Sequence, residues 1–287
     1  MDRVKLCQIN ICGLSDRSKV CLEKYAFDNN ADFLFVSETK LKSDVVFQNY
    51  TQFFKHNRAD QPQGGVAIYM KSSYQGDRQS YLESDEIDAV FIVAKFNRKR
   101  YLLCSVYIPP QKSALLKKFL DIAKKAILEA HNLKCEGILI VGDLNARHQN
   151  WGDTTNNQHG SKILEFSQQQ NLNIWSNFAG NTFQCHNGGS RIDLVLSNIN
   201  IIHRQYIDEE IELFSGAPQR GHVPVWTECS LSKTYKDFRK TVFDWEKTDW
   251  HSFTSYLDFA THDIFPQLVY TDDPQTLWNV AKALLID

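Results

Sequence analysis

The feature that most narrows the fold of this chain is a set of short apolar runs that each end abruptly in polar residues. VKLCQI (4–9) stops at Asn10, FLFV (33–36) at Ser37-Glu38-Thr39, and GILIV (137–141) at Gly142-Asp143. Runs of this length read as buried strands. Gly64-Gly65 opens a further run, VAIYM. IDAVFIVAKF (87–96) and RYLLCSVYI (100–108), joined by the turn-like Asn97-Arg98-Lys99, predict an antiparallel hairpin. Between the strands lie helical patterns. Ser15 or Asp16 can cap a helix carrying Val20, Cys21, Lys24, Tyr25 and Phe27. Leu115, Leu116, Phe119, Ile122, Ala123, Ala126, Ile127 and Ala130 recur at helical spacing among lysines. Another helix is expected near 160–170, then short strands near 173–175, 181–184, 190–197 and 223–229. Helices mixed with hairpins and crossovers predict a layered α/β fold with mixed sheets.

Composition excludes several function classes. With 287 residues, 43 % hydrophobic and 23 % charged, the chain can bury a sizeable core without staples. Its seven cysteines include no CxxC pair, which argues against a disulfide framework or a thiolate zinc site and favours a reducing compartment. A net charge of −2 excludes a globally basic nucleic-acid coat but not a local basic face. No apolar stretch approaches the roughly 18 residues needed to cross a bilayer, and the start MDRVKLCQIN lacks the apolar core of a signal peptide. After residue 230 the polar, basic SKTYKDFRK reads as a linker. An amphipathic stripe (Leu277, Val280, Ala281, Leu284, Leu285) then stops at Asp287 without a capping glycine, as in a fragment of something longer. The expected division is 1–230 and 231–287.

Strand ends are where layered α/β folds assemble their sites. Asn10 alone is more often an Asx-turn residue than a site residue. Glu38 can hold a hard cation such as Mg²⁺ through oxygen, or stand as an exposed loop charge. Tyr107, in SVYIPP, offers a phenol to a phosphate oxygen or packs as a strand tyrosine. In ILIVGDLNAR, Gly142 permits a sharp turn, and the D-x-N alternation sets Asp143 and Asn145 on one side of an extended segment. One can act as base or metal ligand while the other donates to an oxyanion. Asp193, leading into LVL, is suited to accept a hydrogen bond from a histidine. His222, in RGHVPVW, is structural when alone, but paired with Asp193 it becomes an oriented imidazole with a raised pKa. This inventory suits phosphodiester hydrolysis. The absence of GxSxG argues against acyl transfer.

In sequence order, QINICGL, SETKL, VYIPP, GDLNARHQNWG, NTF, SRIDLVLSN and GHVPV resemble the endonuclease/exonuclease/phosphatase superfamily over roughly residues 3–230. They are most similar to the endonuclease domain of the second open reading frame of non-LTR (LINE-type, Jockey-like) retrotransposons. The resemblance implies a four-layered α/β sandwich, two mixed β-sheets packed face to face and flanked by helices. It implies an endonuclease using Mg²⁺, with Mn²⁺ as a substitute, that nicks double-stranded DNA and leaves a 3′-hydroxyl for target-primed reverse transcription. The implied partners are the reverse transcriptase domain of the same polyprotein, after residue 230, and the element RNA. Action would be nuclear after cytoplasmic translation, with no membrane and no secretion.

Carried over by position, Glu38 would be the main Mg²⁺ ligand, supported by Asn10, and Tyr107 would contact the scissile phosphate. Asp143 would orient or deprotonate water, Asn145 would stabilise the oxyanion, and Asp193 would pair with a phosphate-binding His222. Thr182, Ser190, Arg191 and Arg220 would face DNA. Apart from the resemblance, Lys40, Lys42, Arg98, Lys99 and Arg100 read either as basic contacts to DNA or as solvated surface charges. The chain departs from the family at Gly221, where relatives carry aspartate before the histidine. Two alternatives stay open: an abasic-site nuclease or phosphatase of the same superfamily, and a DNA-binding relic that no longer cuts.

Overall fold

The computed structural model describes residues 3–55, 64–96, 99–186, 188–199, 202–208 and 221–229. Arg98, Arg220 and the expected 231–287 connector lie outside the described residues. In chain order the elements are β1 (Val4–Asn10), α1 (Asp16–Asp28), β2 (Phe33–Ser37), β3 (Tyr50–Lys55), β4 (Val66–Lys71), β5 (Gln75–Arg78), β6 (Asp88–Phe96) and β7 (Lys99–Tyr107). There follow α2 (Ser113–Asn132), β8 (Cys135–Asp143), α3 (Gln158–Gln169), β9 (Asn173–Trp175), β10 (Phe183–Cys185), β11 (Gly188–Ser190), β12 (Asp193–Ser197), β13 (Ile202–Ile207), β14 (Gly221–His222) and β15 (Val225–Cys229). One sheet has the order β13-β15-β1-β2-β4-β3, the second β5-β6-β7-β8-β12-β9, and β11-β10-β14 form a small third.

Both large sheets are mixed. β1 runs parallel to β2 but antiparallel to β15, and β7 runs parallel to β8 but antiparallel to β6. The predicted hairpin is β6–β7, with Asp88 opposite Tyr107. Three apolar clusters define the layers. Leu22, Tyr25 and Ala26 of α1 pack on Cys7, Ile9, Leu34 and Val36 of the first sheet. Phe33, Phe35, Ile68, Leu103 and Val141 fill the space between the sheets. Leu116, Phe119, Ala123 and Ala126 of α2, with Ile163 and Phe166 of α3, cover the outer face of the second sheet. The result is the four-layered sandwich that the resemblance implies. Each fully buried aliphatic or phenylalanine side chain contributes about 1.5–3 kcal/mol.

The helix expected after Ser15 or Asp16 is α1. Ser15 caps the helix, accepting from Ser18 N at 3.3 Å, but Val20 and Phe27 are 63 % and 69 % exposed. Leu22 and Ala26, one helical turn apart, carry the contact with the sheet. Val20 and Phe27 match the apolar composition of a buried stripe but not its phase.

Strand alternation explains how this apolar interior leads to a polar site. On β1, Val4 and Leu6 point between the sheets and Cys7 and Ile9 point to α1, so Gln8 and Asn10 also point between the sheets. The same count carries Leu103 to Tyr107 on β7, Val141 to Asp143 on β8, and Val195 back to Asp193 on β12. Register then aligns the last residues: Asn10 pairs with Ser37, Tyr107 with Asp143, and Asp143 with Asp193. At this edge of the sandwich the filling between the sheets changes from hydrocarbon to amides and carboxylates.

Candidate active site

The structure brings Asn10, Glu38, Tyr107, Asp143, Asn145, Asp193 and His222 to that one edge. Asn10 is buried and connects the two sheets. Its Nδ2 donates to Glu38 Oε1 and to Asp143 Oδ2, both at 2.9 Å, while its Oδ1 accepts from Cys12 N at 3.0 Å. The Asn10 oxygen is engaged by backbone, and its amide hydrogens orient the two carboxylates. Glu38 follows β2 in the left-handed region, φ +51°. The backbone there is held by Thr39 N donating to Gly65 O at 3.1 Å and Lys40 N to Gly64 O at 3.0 Å. Tyr107 hydrogen-bonds Glu38, and burial with that carboxylate alongside pushes its phenol far above its ordinary value. It stays a neutral donor.

Asp143 is buried, and its Oδ1 accepts from Asn145 N at 2.9 Å. Burial first, and the Asp193 charge second, raise its carboxyl to about 7. Asn145 does not continue an extended segment: its φ is +47°. Its place beside Asp143 comes from this left-handed turn, with Nδ2 donating to Ile108 O at 3.0 Å, and not from strand alternation. Asp193 Oδ2 lies 2.8 Å from His222 Nδ1, and His222 Nε2 lies 3.7 Å from Asp143 Oδ2. Burial opposes a charged imidazole, but Asp193 outweighs it and His222 rises to about 9. Asp193 thus favours the imidazolium form of His222, whose Nε2 lies on the Asp143 side.

The donor set was tested for a divalent cation at two places. Glu38 offers carboxylate oxygen, the donor type that Mg²⁺ prefers, and it already draws the Lys40 ammonium to 3.5 Å from its Oε2. That carboxylate fits a hard cation. Asp143, Asp193 and His222 also converge, with ligand atoms within 4.8 Å of one another. The 2.8 Å contact between Asp193 and His222 is a hydrogen bond, however, and makes that group an acid–imidazole pair.

Other expected contacts are placed differently. Thr182 is 0 % exposed. Its hydroxyl donates to Ser190 O and accepts from Ile192 N and Asp193 N, so it fixes the entry to β12 and presents nothing to DNA. Ser190 is buried as well. The Arg191 guanidinium donates to Gly180 O at 2.6 Å and Trp151 O at 3.2 Å and lies over the Phe178 ring. It clamps loops together through Nε and Nη1. Lys40 is turned to Glu38 and to Cys12 O at 3.2 Å. Lys99 and Arg100 begin β7, whose other end is Tyr107. Seven or eight residues at about 3.3 Å each separate them from the site.

Two positions not singled out in the sequence support the loops around the candidate site. Asp153 accepts Arg147 Nε and Thr155 N at 3.0 Å on one oxygen and Arg191 N at 2.8 Å on the other. Asn157 donates to Asn145 O at 2.9 Å, accepts from Arg147 N at 3.0 Å, and caps α3 through Gly160 N at 2.7 Å. Trp151 Nε1 donates to Arg191 O at 3.0 Å. The run from Asp143 to Asn157 is thus stitched to the segment that delivers Asp193. Its signal in the sequence was the turn-forming Trp151-Gly152-Asp153.

Gly221, the departure from the family pattern, has φ +110° and open space where a Cβ would stand. An L-residue there is strained by its backbone alone. Gly221→Asp is expected to cost about 1–3 kcal/mol of stability and to give no gain in nicking rate. Thermal denaturation and plasmid nicking of the same preparation check both halves.

The chain is similar to known proteins in part of its sequence and in its fold. Residues 101–216 match the family described as endonuclease-reverse transcriptase. A Drosophila melanogaster protein, "Probable RNA-directed DNA polymerase from transposon BS", is 25 % identical over 169 residues, which are 58 % of this chain and 18 % of that protein. The chain thus spans less than a fifth of this relative's length. Among solved structures, the endonuclease domain of TRAS1, a telomere-specific non-LTR retrotransposon, superposes with a TM-score of 0.66 at 18 % identity, covering 81 % of this chain and all of that one. The Xenopus laevis APE2 catalytic domain gives 0.57 at 19 %, covering 80 % and 94 %. The matched segment and the transposon relative thus make this chain similar in sequence to endonuclease-reverse transcriptases, and the solved structures share its fold.

Proposed function

We propose that this chain is a divalent-metal-dependent DNA endonuclease that nicks one strand of a duplex and leaves a 3′-hydroxyl. The observation that carries the reading is the Asn10 amide, which joins a cation-type carboxylate, Glu38, to a buried base-type carboxylate, Asp143, beside the Asp193–His222 pair. Phosphodiester hydrolysis needs these groups side by side. A Mg²⁺ ion at Glu38 would neutralise phosphate charge. Asp143, with a pKa near neutrality, takes the proton of the attacking water. His222 approaches the phosphate through Nε2 as an imidazolium. Asn145 Nδ2, fixed by Ile108 O, has a second hydrogen to give to the developing oxyanion. Tyr107 stays protonated and keeps the Glu38 carboxylate oriented.

The product end and the partners follow from the same reading. A 3′-hydroxyl is the primer a reverse transcriptase needs, and such a domain in the same polyprotein, with the element RNA, is the proposed partner. The duplex target places the reaction in the nucleus.

The test is conversion of supercoiled plasmid to open circles with Mg²⁺ or EDTA, comparing the parent chain with Glu38→Gln. Nicking should require Mg²⁺, and Glu38→Gln should raise the half-saturating Mg²⁺ concentration at least tenfold while leaving a folded thermal transition. Nicking that persists undiminished in EDTA would sink the metal role. Faster cleavage of an abasic duplex than of an intact one would move the substrate to damaged DNA.

A further inference from the structure

We propose that Gln8 is a positioning residue for the Asp193–His222 pair: it holds one Asp193 oxygen so that the other stays on the imidazole and off Asp143. This rests on the endonuclease reading. The difficulty it answers lies in the second sheet, where Asp143 and Asp193 are directly opposed across β8 and β12. Two buried carboxylates that close come to share one proton unless each has donors of its own. A shared proton would join the two acids to each other and leave His222 without its partner.

β1 of the opposite sheet supplies one amide to each acid. Asn10 Nδ2 donates to Asp143 Oδ2 at 2.9 Å, and Gln8 Nε2 donates to Asp193 Oδ1 at 2.7 Å. The two amides stand two residues apart on one strand face, matching the spacing of the two carboxylates they meet. Asp193 is then fully committed, with Gln8 on Oδ1 and His222 on Oδ2.

The other end of the amide shows that this contact, and not packing, explains the residue. Gln8 is 2 % exposed, and its Oε1 accepts no hydrogen bond. An orphaned buried acceptor is destabilising. Val4 and Leu6, on the same face of β1, show that the layer accepts aliphatic side chains. A side chain selected for stability alone would be apolar here too. Among the described residues, the Gln8 side chain donates to Asp193, so its effect is exerted through Asp193.

The experiment uses the full chain and Gln8→Met, which keeps length and bulk but removes both the donor and the orphaned acceptor. The expected result, read at a temperature where the variant is still folded, is an unchanged KM for duplex DNA and a kcat lower by about 10- to 100-fold, the scale of a small misplacement of a reacting group. In the proton NMR spectrum without DNA, the far-downfield His222 Nδ1 proton should move or broaden. A lower Tm with wild-type kcat and an unmoved His222 resonance would make Gln8 merely structural and overturn the proposal. If the parent chain fails to nick DNA, the endonuclease reading falls, and the His222 resonance still decides on Gln8: unmoved in Gln8→Met, the positioning role falls as well.

Discussion

Asp143→Asn is expected to lower the nicking rate by about 10²–10⁴-fold, the usual loss when a general base is removed, without unfolding the protein. The carboxyl is raised from 3.8 to about 7 by burial and by Asp193. Its charge therefore counts against the folded state: this contribution to stability falls as pH climbs from 3.8 toward 7, and above 7 the full cost is present. Asparagine carries no such cost, so at pH 8 the variant should melt no lower than the parent. Loss of rate with retained or increased Tm separates a chemical role from a structural one. The pH profile of the parent tests the same assignment. The rate should rise as the Asp143–His222 group loses its first proton near pH 7, because a base must be unprotonated. It should fall near pH 9, where the His222 imidazolium is lost. Asp143→Asn should abolish the acid limb of whatever activity remains. A variant with the parent's rate, or one that keeps both limbs, would remove Asp143 from the chemistry.

The sequence disclosed the site far better than it disclosed the support for the site. Glu38, Tyr107, Asp143, Asp193 and His222 stand where apolar runs stop or start, and strand length and alternation bring such ends together at one edge. Gln8 gave no such signal, because it lies inside VKLCQI and its partner is 185 residues away on the other sheet. Asp153 and Asn157 act through backbone groups of distant loops, contacts that no local periodicity records. Thr182 and Arg191 were recognisable as motif residues, yet their direction was not. A hydroxyl or guanidinium in a loop reads as solvent-facing until the carbonyls and amides that consume it are known. Asn145 was placed beside Asp143 for the wrong geometric reason, since a positive φ is invisible in residue spacing. Which side of α1 meets the sheet was likewise not legible: Val20 and Phe27 are apolar yet exposed, and the contact is made by Leu22, Tyr25 and Ala26.

Gly142→Ala is expected to damage folding and activity together, in contrast to Asp143→Asn next to it. Gly142 pairs with Val106 in the parallel β7–β8 ladder at the middle of the second sheet. A Cβ at Gly142 would stand 1.9 Å from Val106 O and 2.9 Å from Val106 C. The obstacle is backbone, so no rotamer change relieves it, and φ +153° adds strain for an L-residue. One strand must move away from the other. Overpacking in a core costs about 1–3 kcal/mol, and a rigid backbone clash should lie at or above the upper end of that range. The displacement falls one residue before Asp143 and one before Tyr107 in the paired strand. It would open the 2.9 Å contacts that Asp143 makes with Asn10 and Asn145, and about 1 Å of misplacement can cost 10²-fold in rate. Urea denaturation should show a lower midpoint with an unchanged slope, and nicking should fall at least a hundredfold even where the variant remains folded. A parent-like midpoint would mean that β7 and β8 are not held as close as the structure has them, and the same looseness would then extend to the placement of Asp143 itself.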